Sequence, residues 1–189
     1  MQISDEDLML NYCKGDYAAF EALYQRHSRG LYRFIAWHSP RTDWADEVAQ
    51  DAWLRLHHAR ATYQPQANFK TFLYQIARNR LIDILRQQHA VLASDLGESA
   101  EDGVGVFDLI ANETQHGDVP DAMLMQKQHA AQLHRYIDKL PFEQKEALIL
   151  HHFSELTLSE IASLTGAKEE TVKTRLRYAI QKLKQFMGE

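Results

Sequence analysis

A face of polar, mostly basic side chains recurs at helical spacing near the C-terminus of the chain. It comprises Glu170, Lys173, Thr174, Arg177, Gln181 and Lys184. Lysine and arginine can donate hydrogen bonds to O6 and N7 of guanine, and threonine can bond to a base edge or to a phosphate. These residue types at this spacing therefore predict a surface that binds DNA.

The element that must carry this face is the second helix of a helix-turn-helix. Thr157 and Glu160 have the spacing of a capping box, which predicts the start of a short first helix. Gly166 then predicts a sharp turn, because a residue without a Cβ atom can take a positive φ. The apolar positions of the second helix are Val172, Leu176, Ala179 and Leu183. A tight turn followed by a helix with one basic face suits the major groove of DNA.

Charge is distributed unevenly along the 189 residues, whose net charge is −5. Residues 91–122 contain eight acidic and no basic side chains, whereas the parts before and after them carry net charges of +1 and +2. The flanking parts can therefore still gather basic residues on one face. No run of about 18 apolar residues occurs, and the acidic N-terminus lacks the pattern of a signal peptide, so we expect a soluble cytoplasmic protein.

Helical periodicity dominates, so the predicted fold class is all-α, with two small helical domains joined by an acidic flexible linker. We predict the N-terminal domain at residues 1–90, the linker at 91–119, and the C-terminal domain with the helix-turn-helix at 120–189. Within them we predict a short helix capped by Ser4 and helices at 17–38, 42–60, 69–88, 120–140 and 142–153. The charge of the linker has two interpretations, either solubility and disorder or an acidic tether that occupies a channel shaped for nucleic acid.

Covalent chemistry is not indicated. The ten histidines include adjacent pairs at 57–58 and 151–152, but neighbouring residues point to different faces of a helix, and no pair has the spacing of zinc ligands. No phosphate-binding glycine loop, nucleophile elbow or kinase signature occurs. We therefore expect no catalytic residues, no metal, no cofactor and no small-molecule substrate, and a protein that is not an enzyme.

Three separated segments together resemble the extracytoplasmic-function sigma factors of bacterial RNA polymerase. They are DWADEVAQDAWLRL at 43–56, NFKTFLYQIARNRLIDILR at 68–86, and the stretch from Leu140 to Lys184. The resemblance implies a protein that binds core polymerase, through the β′ clamp helices and the β subunit, and directs initiation at specific promoters. It also implies service of a stress, envelope or metal response, and control by an anti-sigma factor that can hold the protein at the inner membrane.

The helix at 42–60 carries acidic and amide side chains on its outer face. By resemblance to the family, the residues that dock on the β′ clamp helices are Asp46, Glu47, Gln50 and Asp51. Complementary charge aids the rate and register of such an association more than its affinity. The alternative for the same residues is a solvated helix start whose acidic groups are favoured by the helix dipole.

The loop at 61–68 and the helix after it combine aromatic, amide and basic residues. Opening a duplex requires bases held on aromatic or polar surfaces, with cations on the phosphates. The family uses this region to recognise and melt the −10 element, which implies roles for Tyr63, Asn68, Lys70, Arg78, Asn79 and Arg86. Phe69 and Phe72 are expected to be core residues instead.

The resemblance assigns the helix-turn-helix to the −35 element. The implied contact residues are Lys168, Glu170, Thr171, Lys173, Thr174, Arg175 and Arg177. Of these, Lys168 and Arg175 are expected to touch phosphates. Glu170 has two interpretations, stabilisation of a helix N-terminus or acceptance of a hydrogen bond from N4 of cytosine.

Two other classes of protein remain as alternatives. A stand-alone helix-turn-helix regulator would bind duplex operators as a dimer, with residues 1–90 as a sensing or dimerisation module. Such a regulator has no need for an acidic docking helix followed by an aromatic and basic melting helix, and it binds duplex DNA unaided. The other class is an RNA-binding adaptor, which would favour sheet or GXXG signatures that the sequence lacks.

Overall fold

The structure of the protein, a computed structural model, describes residues 3–39, 41–65, 68–94 and 132–188. Eight helices and no strands lie in these residues, which confirms the predicted all-α class. The chain divides into two compact units, Met1–Val104 and Gly105–Glu189, and each is described by itself. Most of the predicted linker, and the predicted helix at 120–140 before residue 132, lie outside the described residues.

Four helices form the described part of the N-terminal unit. They are α1 at Asp5–Cys13, α2 at Tyr17–His38, α3 at Thr42–Ala59 and α4 at Phe69–Ser94. Ser4 caps α1 as predicted, because its hydroxyl accepts a hydrogen bond from the Asp7 amide at 3.1 Å. Gly15 takes a φ of +99° in the turn that follows, and Asp16 then caps α2. Caps of this kind satisfy amides that have no acceptor inside the helix.

The core of this unit is formed where α2 packs against α3 and α4. Its fully buried side chains include Leu23, Leu31, Phe34, Ile35, Val48, Leu56, Phe69, Leu73 and Leu81. Gly30 allows a close approach of α2 to α4, since a Cβ atom at this position would lie 3.1 Å from the hydroxyl oxygen of Tyr74. Burial of these apolar side chains stabilises the unit, and it fixes which sides of α3 and α4 face solvent.

Helix α4 is longer than its predicted extent of 69–88. It continues to Ser94 because the residues at 89–93 read HAVLA, in which alanine and leucine favour a helix, and the next glycine stands only at 97. The helix therefore enters the segment predicted as linker. The boundaries predicted for the domains at 1–90, 91–119 and 120–189 stay predictions.

Four helices also lie in the described part of the C-terminal unit. They are α5 at 132–138, α6 at Phe142–His152, α7 at Leu158–Thr165 and α8 at Glu169–Met187. Their buried residues include Leu148, Ile149, Leu150, Ile161, Leu164, Val172 and Ala179. Leu176 and Leu183, which were predicted on the apolar side of α8, lie on the same side as Val172 and Ala179 and are half-buried.

Asp138 ties α5 to α6. Its carboxylate accepts a hydrogen bond from Lys145 Nζ at 2.5 Å and lies 2.9 Å from Nδ1 of His134. Burial by itself raises the pKa of Asp138, but the hydrogen bonds from His134 and Lys145 outweigh burial, and the net pKa is lowered. Tyr136 of α5 also stacks on Phe186 of α8, with ring centroids 5.6 Å apart. Helix α5 is therefore fixed at both α6 and the far end of α8.

Candidate nucleic-acid interface

The turn of the helix-turn-helix has the geometry predicted from its sequence. The Thr157 hydroxyl accepts a hydrogen bond from the Glu160 amide at 3.2 Å, and Glu160 Oε2 accepts one from the Thr157 amide at 2.8 Å. Gly166 ends α7 with a φ of +67°, and its amide donates to the carbonyl of Ala162. The capping box and the left-handed glycine are both confirmed. Together they fix the direction in which α8 leaves α7.

Helix α8 turns its polar side to solvent. Lys173 Nζ lies 3.7 Å from the carboxylate of Glu170, and the two side chains are 66% and 80% exposed. An ion pair as open as this contributes little, so its members can take a base or a phosphate as partner at small cost. The first turn of α8 is acidic, with Glu169 beside Glu170, and this position suits the helix dipole.

The predicted −35 residues fall into two adjoining groups on α8. At 3.6 residues per turn, one side holds Glu170, Lys173, Thr174 and Arg177, opposite the buried Val172 and Ala179. The flank beside it holds Lys168, Thr171 and Arg175. On a helix that lies in a DNA groove, central side chains commonly contact base edges and flanking side chains contact phosphates.

Two of these side chains, Thr174 and Arg177, make contacts within α8. Thr174 Oγ1 donates to the Glu170 carbonyl at 2.8 Å, so its hydroxyl hydrogen is already used, whereas its methyl group and a lone pair remain. The guanidinium of Arg177 lies over the ring of Tyr178, 5.3 Å from its centroid. This cation–π contact holds Arg177 without using its hydrogen-bond donors.

The predicted −10 residues begin in the loop between α3 and α4. Tyr63 is half-buried, its ring packs on Phe72 with centroids 5.3 Å apart, and its hydroxyl is buried with no hydrogen-bond partner among the described residues. Asn68 is exposed and caps α4, where its Oδ1 accepts from the Lys70 amide at 2.9 Å. Phe69 is fully buried, as expected, whereas Phe72 is only half-buried and faces the loop.

Helix α4 does not bring its four candidate residues to one side. Asn79 and Arg86 are exposed, and their spacing of seven residues places them on the same side as Phe72. Lys70 lies roughly half a turn around the helix from Asn79, on the side that faces α2. Arg78 is half-buried between the two sides. The loop, Phe72, Asn79 and Arg86 therefore form one surface, and Lys70 belongs to another.

Two of the predicted polymerase-docking residues pair with α4 or with their own helix. Glu47 Oε1 accepts a hydrogen bond from Arg80 Nη2 at 2.8 Å. Asp51 Oδ2 accepts from Arg55 Nε at 2.9 Å, and it lies 2.9 Å from Arg80 Nε without the angle of a hydrogen bond. These ion pairs link α3 to α4, so part of the acidic face has a structural role.

The other two docking candidates differ from each other. Asp46 interacts with Tyr32 of α2, and burial, followed by the hydrogen bond with Asp46, raises the pKa of Tyr32 to about 12. The Tyr32 hydroxyl therefore stays protonated and donates to the carboxylate. Gln50 is exposed, and it makes no hydrogen bond or ion pair with another residue in the part of the chain that the structure describes.

One exposed apolar side chain on α3 escaped prediction. Leu54 is 54% exposed and follows Gln50 by one helical turn. The outer side of α3 consists of Asp43, Glu47, Gln50, Leu54 and His58, all of them exposed. The available signal was this spacing, which sets a leucine in the middle of a polar stripe. A single exposed leucine is common on protein surfaces, so Leu54 bears on docking only together with the polar stripe around it.

Within the described ranges, no group of three histidine, cysteine or carboxylate side chains could hold a metal ion. No described helix is long and apolar enough to cross a membrane.

Two protein families match separate parts of the chain, and two similar proteins are described as ECF sigma factors. Residues 23–91 match the family described as Sigma-70 region 2, and residues 130–183 match Sigma-70, region 4. The chain is 31% identical over 177 residues to the ECF RNA polymerase sigma factor RpoE of Cereibacter sphaeroides, covering 92% of this chain and 88% of that protein. It is 29% identical over 185 residues to the ECF RNA polymerase sigma factor SigM of Mycobacterium tuberculosis, covering 98% and 85%.

A solved structure has a similar fold. It is the sigma factor RpoE in complex with the anti-sigma factor NepR, from Bartonella quintana, with a TM-score of 0.71 and 20% sequence identity. The similarity covers 89% of this chain and 96% of that one.

Proposed function

The chain belongs to the extracytoplasmic-function family of RNA polymerase sigma factors, and from this premise we propose which surfaces of its two units carry the family's function. The protein binds core RNA polymerase and promoter DNA and directs the initiation of transcription, and it is not an enzyme. The family suggested by the sequence is thereby confirmed.

Core polymerase is proposed to bind the outer side of α3 through its β′ clamp helices. Gln50 and Leu54 form the centre of this surface, because both are exposed. Glu47 stays 58% exposed despite its ion pair and adds negative charge beside them. Asp46 and Asp51 lie at the two edges, where they also hold α3 against its neighbours. A basic partner would be drawn to this acidic rim in a defined register.

The −10 element is proposed to bind the loop before α4 and the outer side of that helix. Tyr63 and Asn68 offer an aromatic edge and an amide to unpaired bases, and Asn79 and Arg86 continue the same surface along α4. Lys70 and Arg78 lie on other sides of α4, so their proposed role is restricted to the DNA backbone.

The −35 element is proposed to bind α8 as duplex DNA. The observation that carries the proposal is the exposed side of α8, set behind a turn of the predicted geometry and fixed by the capping box. Lys173 and Arg177 are proposed to read base edges, with Glu170 beside them as an acceptor for cytosine N4. Because its hydroxyl hydrogen is used within the helix, Thr174 offers a methyl group, which suits thymine. Lys168, Thr171 and Arg175 are proposed to touch the flanking phosphates.

Regulation is proposed to follow the pattern of the relatives. The similar solved structure is a complex with an anti-sigma factor, and this supports an anti-sigma partner for the present chain. On this proposal the protein works in the cytoplasm, contacts the β subunit as well as β′, is held at the inner membrane when inactive, and serves a stress, envelope or metal response.

DNA preference tests the proposal against a duplex-binding dimeric regulator. The full chain is mixed, with and without bacterial core polymerase, with a duplex promoter fragment and with a single-stranded oligonucleotide of its −10 non-template strand. Promoter binding that requires core polymerase, together with preference for the single strand at −10, is the expected result. Tight binding of the duplex by the protein alone, without affinity for core polymerase, would overturn the proposal.

A further inference from the structure

Helix α1 contacts residues at both ends of the loop that joins α3 to α4, and it precedes the residues that match the region 2 family. We propose that α1 is a positioning element for the −10 surface, in which Glu6 caps α4 and so holds the loop in the shape that binds single-stranded DNA. The inference rests on the proposed −10 role of this loop. It adds a residue from outside the matched family region to the machinery of promoter recognition.

The cap itself is a contact between residues far apart in the chain. The Phe69 amide is one of the first amides of α4, which have no acceptor within their own helix. Glu6 Oε1 accepts its hydrogen bond at 2.8 Å. Asn68 satisfies the next amide, that of Lys70, from within the loop. The start of α4 thus depends on one local cap and on one carboxylate from α1, whose charge also suits the helix dipole.

The C-terminal end of α1 contacts the end of the loop that follows α3. The Tyr12 hydroxyl and Nδ1 of His57 are hydrogen-bonded at 2.5 Å, near the end of α3. The guanidinium of Arg60, the first residue after α3, lies over the Tyr12 ring at 5.5 Å from its centroid. Both ends of the loop are therefore attached to α1, one through Glu6 and the other through Tyr12.

Tyr63, in the described part of the loop, is influenced by the charge of this helix. Burial raises the pKa of Tyr63, and electrostatic interactions with Glu6 and Cys13 of α1 raise it further. Glu6 and Cys13 are seven residues apart and so share one side of α1. This side of α1 is therefore the side whose charge acts on Tyr63.

Helix α1 is firmly anchored apart from these contacts. Leu8, Met9 and Tyr12 are buried. Asp5 Oδ1 accepts from Arg26 Nη1, and Asp5 Oδ2 pairs with His27 Nε2, both at 2.6 Å. Because α1 is anchored on α2, it stays in place when the Glu6 cap is removed. Loss of the cap should therefore release the start of α4 and the loop before it without displacing α1.

The experiment uses full-length protein reconstituted with bacterial core polymerase. Fluorescence anisotropy measures binding of a labelled single-stranded −10 non-template oligonucleotide, and core affinity and thermal stability are measured in parallel. Three variants are compared: Glu6→Ala removes the cap, Glu6→Gln keeps an acceptor oxygen, and Asp5→Asn weakens the anchor of α1 on α2 without touching the cap.

Loss of a helix cap should weaken oligonucleotide binding by roughly tenfold in Glu6→Ala, while core affinity is unchanged. Glu6→Gln and Asp5→Asn should stay within about twofold of the wild type, even where Asp5→Asn melts at a lower temperature. Wild-type affinity in Glu6→Ala would overturn the inference, as would an equal loss in Asp5→Asn, which would attribute the effect to the stability of α1. Failure of the wild-type complex to bind the oligonucleotide would instead overturn the proposed −10 role of the loop.

Discussion

At the scale of single residues, α8 separates side chains that can read a base from those that can hold a phosphate. Lys173 and Arg177 lie on the open side, and Lys168 and Arg175 lie on the flank. Base contacts carry sequence information, whereas phosphate contacts add affinity that is independent of sequence. The two groups should therefore respond differently to mutation.

Replacement of Lys173 or Arg177 by alanine should lower initiation at promoters that need the −35 element, by an amount equivalent to about 1–3 kcal/mol of binding, because each variant loses its proposed contact to a base edge. Run-off transcription from such a promoter measures the loss, and titration of core polymerase checks that docking is intact. Gln185→Ala, exposed near the C-terminal end of the same helix, is the matched control. Reduced core affinity in either of the first two variants would contradict the assignment.

The outer side of α3 allows docking and stability to be tested separately. Gln50→Ala and Leu54→Ala should each weaken core binding by about 1–2 kcal/mol, with an unchanged melting temperature because both side chains are exposed.

Charge reversal at Asp46 and Glu47 should weaken core binding and also lower the melting temperature, since these carboxylates are bonded to α2 and α4. Titration with core polymerase and thermal unfolding distinguish the two patterns. Glu21→Lys on the exposed surface of α2 is the control, and unchanged core affinity in every α3 variant would exclude this surface.

At the scale of elements, the turn between α7 and α8 depends on one backbone conformation. Gly166 has a φ of +67°, and a Cβ atom there would meet no other atom within 4 Å. Gly166→Ala should therefore destabilise the C-terminal unit by about 1–2 kcal/mol through the backbone alone, and Gly166→Asn by less, because asparagine tolerates this region. Thermal unfolding measures both variants. Equal stability of the alanine variant and the wild type would show that the turn does not require this conformation.

The contact of α1 with α2 predicts a dependence on pH. Burial lowers the pKa of His27 below 6.5, and this outweighs the opposing effect of Asp5, while Lys70 and Arg26 lower it further. The unfolded chain then takes up the proton more readily than the folded one. The stability that neutral His27 contributes is complete above a pH of 6.5 and is lost as the pH falls through the lowered pKa.

Thermal unfolding from about pH 7.5 down to about pH 5 should therefore show the N-terminal unit losing stability, and His27→Gln should reduce that loss. His58→Gln, which removes a histidine at an exposed position on α3, is the matched control. If stability depends on pH equally in His27→Gln and in the wild type, the proton is taken up by another group.

The elements that were predicted well are those with local signals. The capping box at Thr157, the turn at Gly166 and the cap at Ser4 each depend on a few neighbouring residues, and the sequence shows them directly. The end of α4 was predicted too early, because an acidic composition was given more weight than the helix-forming residues before Gly97.

The candidate site was harder to predict because it depends on packing between helices. Spacing alone could not show that Arg80 forms ion pairs with Glu47 and Asp51, or that Lys70 lies on the side of α4 that faces His27 of α2. The cap from Glu6 to Phe69 joins residues 63 positions apart, and it has no signature in the sequence.

At the scale of the whole molecule, the proposed function divides promoter recognition between the two units as two kinds of binding. The N-terminal unit offers an aromatic and polar loop suited to unpaired bases, and the C-terminal unit offers a single polar helix suited to duplex DNA. A net charge of −5 is compatible with both, because residues 91–122 hold the excess acidic side chains. Strong binding to a promoter should then require core polymerase, which brings both DNA elements to the protein.

Run-off transcription tests this central claim most directly. Purified protein is combined with bacterial core polymerase and a library of genomic promoter fragments, and transcripts are compared with those of core polymerase alone. We expect specific transcripts that appear only with the protein, with start sites that define shared −10 and −35 sequences. Absence of such transcripts and of core binding, together with tight duplex binding by the protein alone, would contradict the account and favour a dimeric regulator.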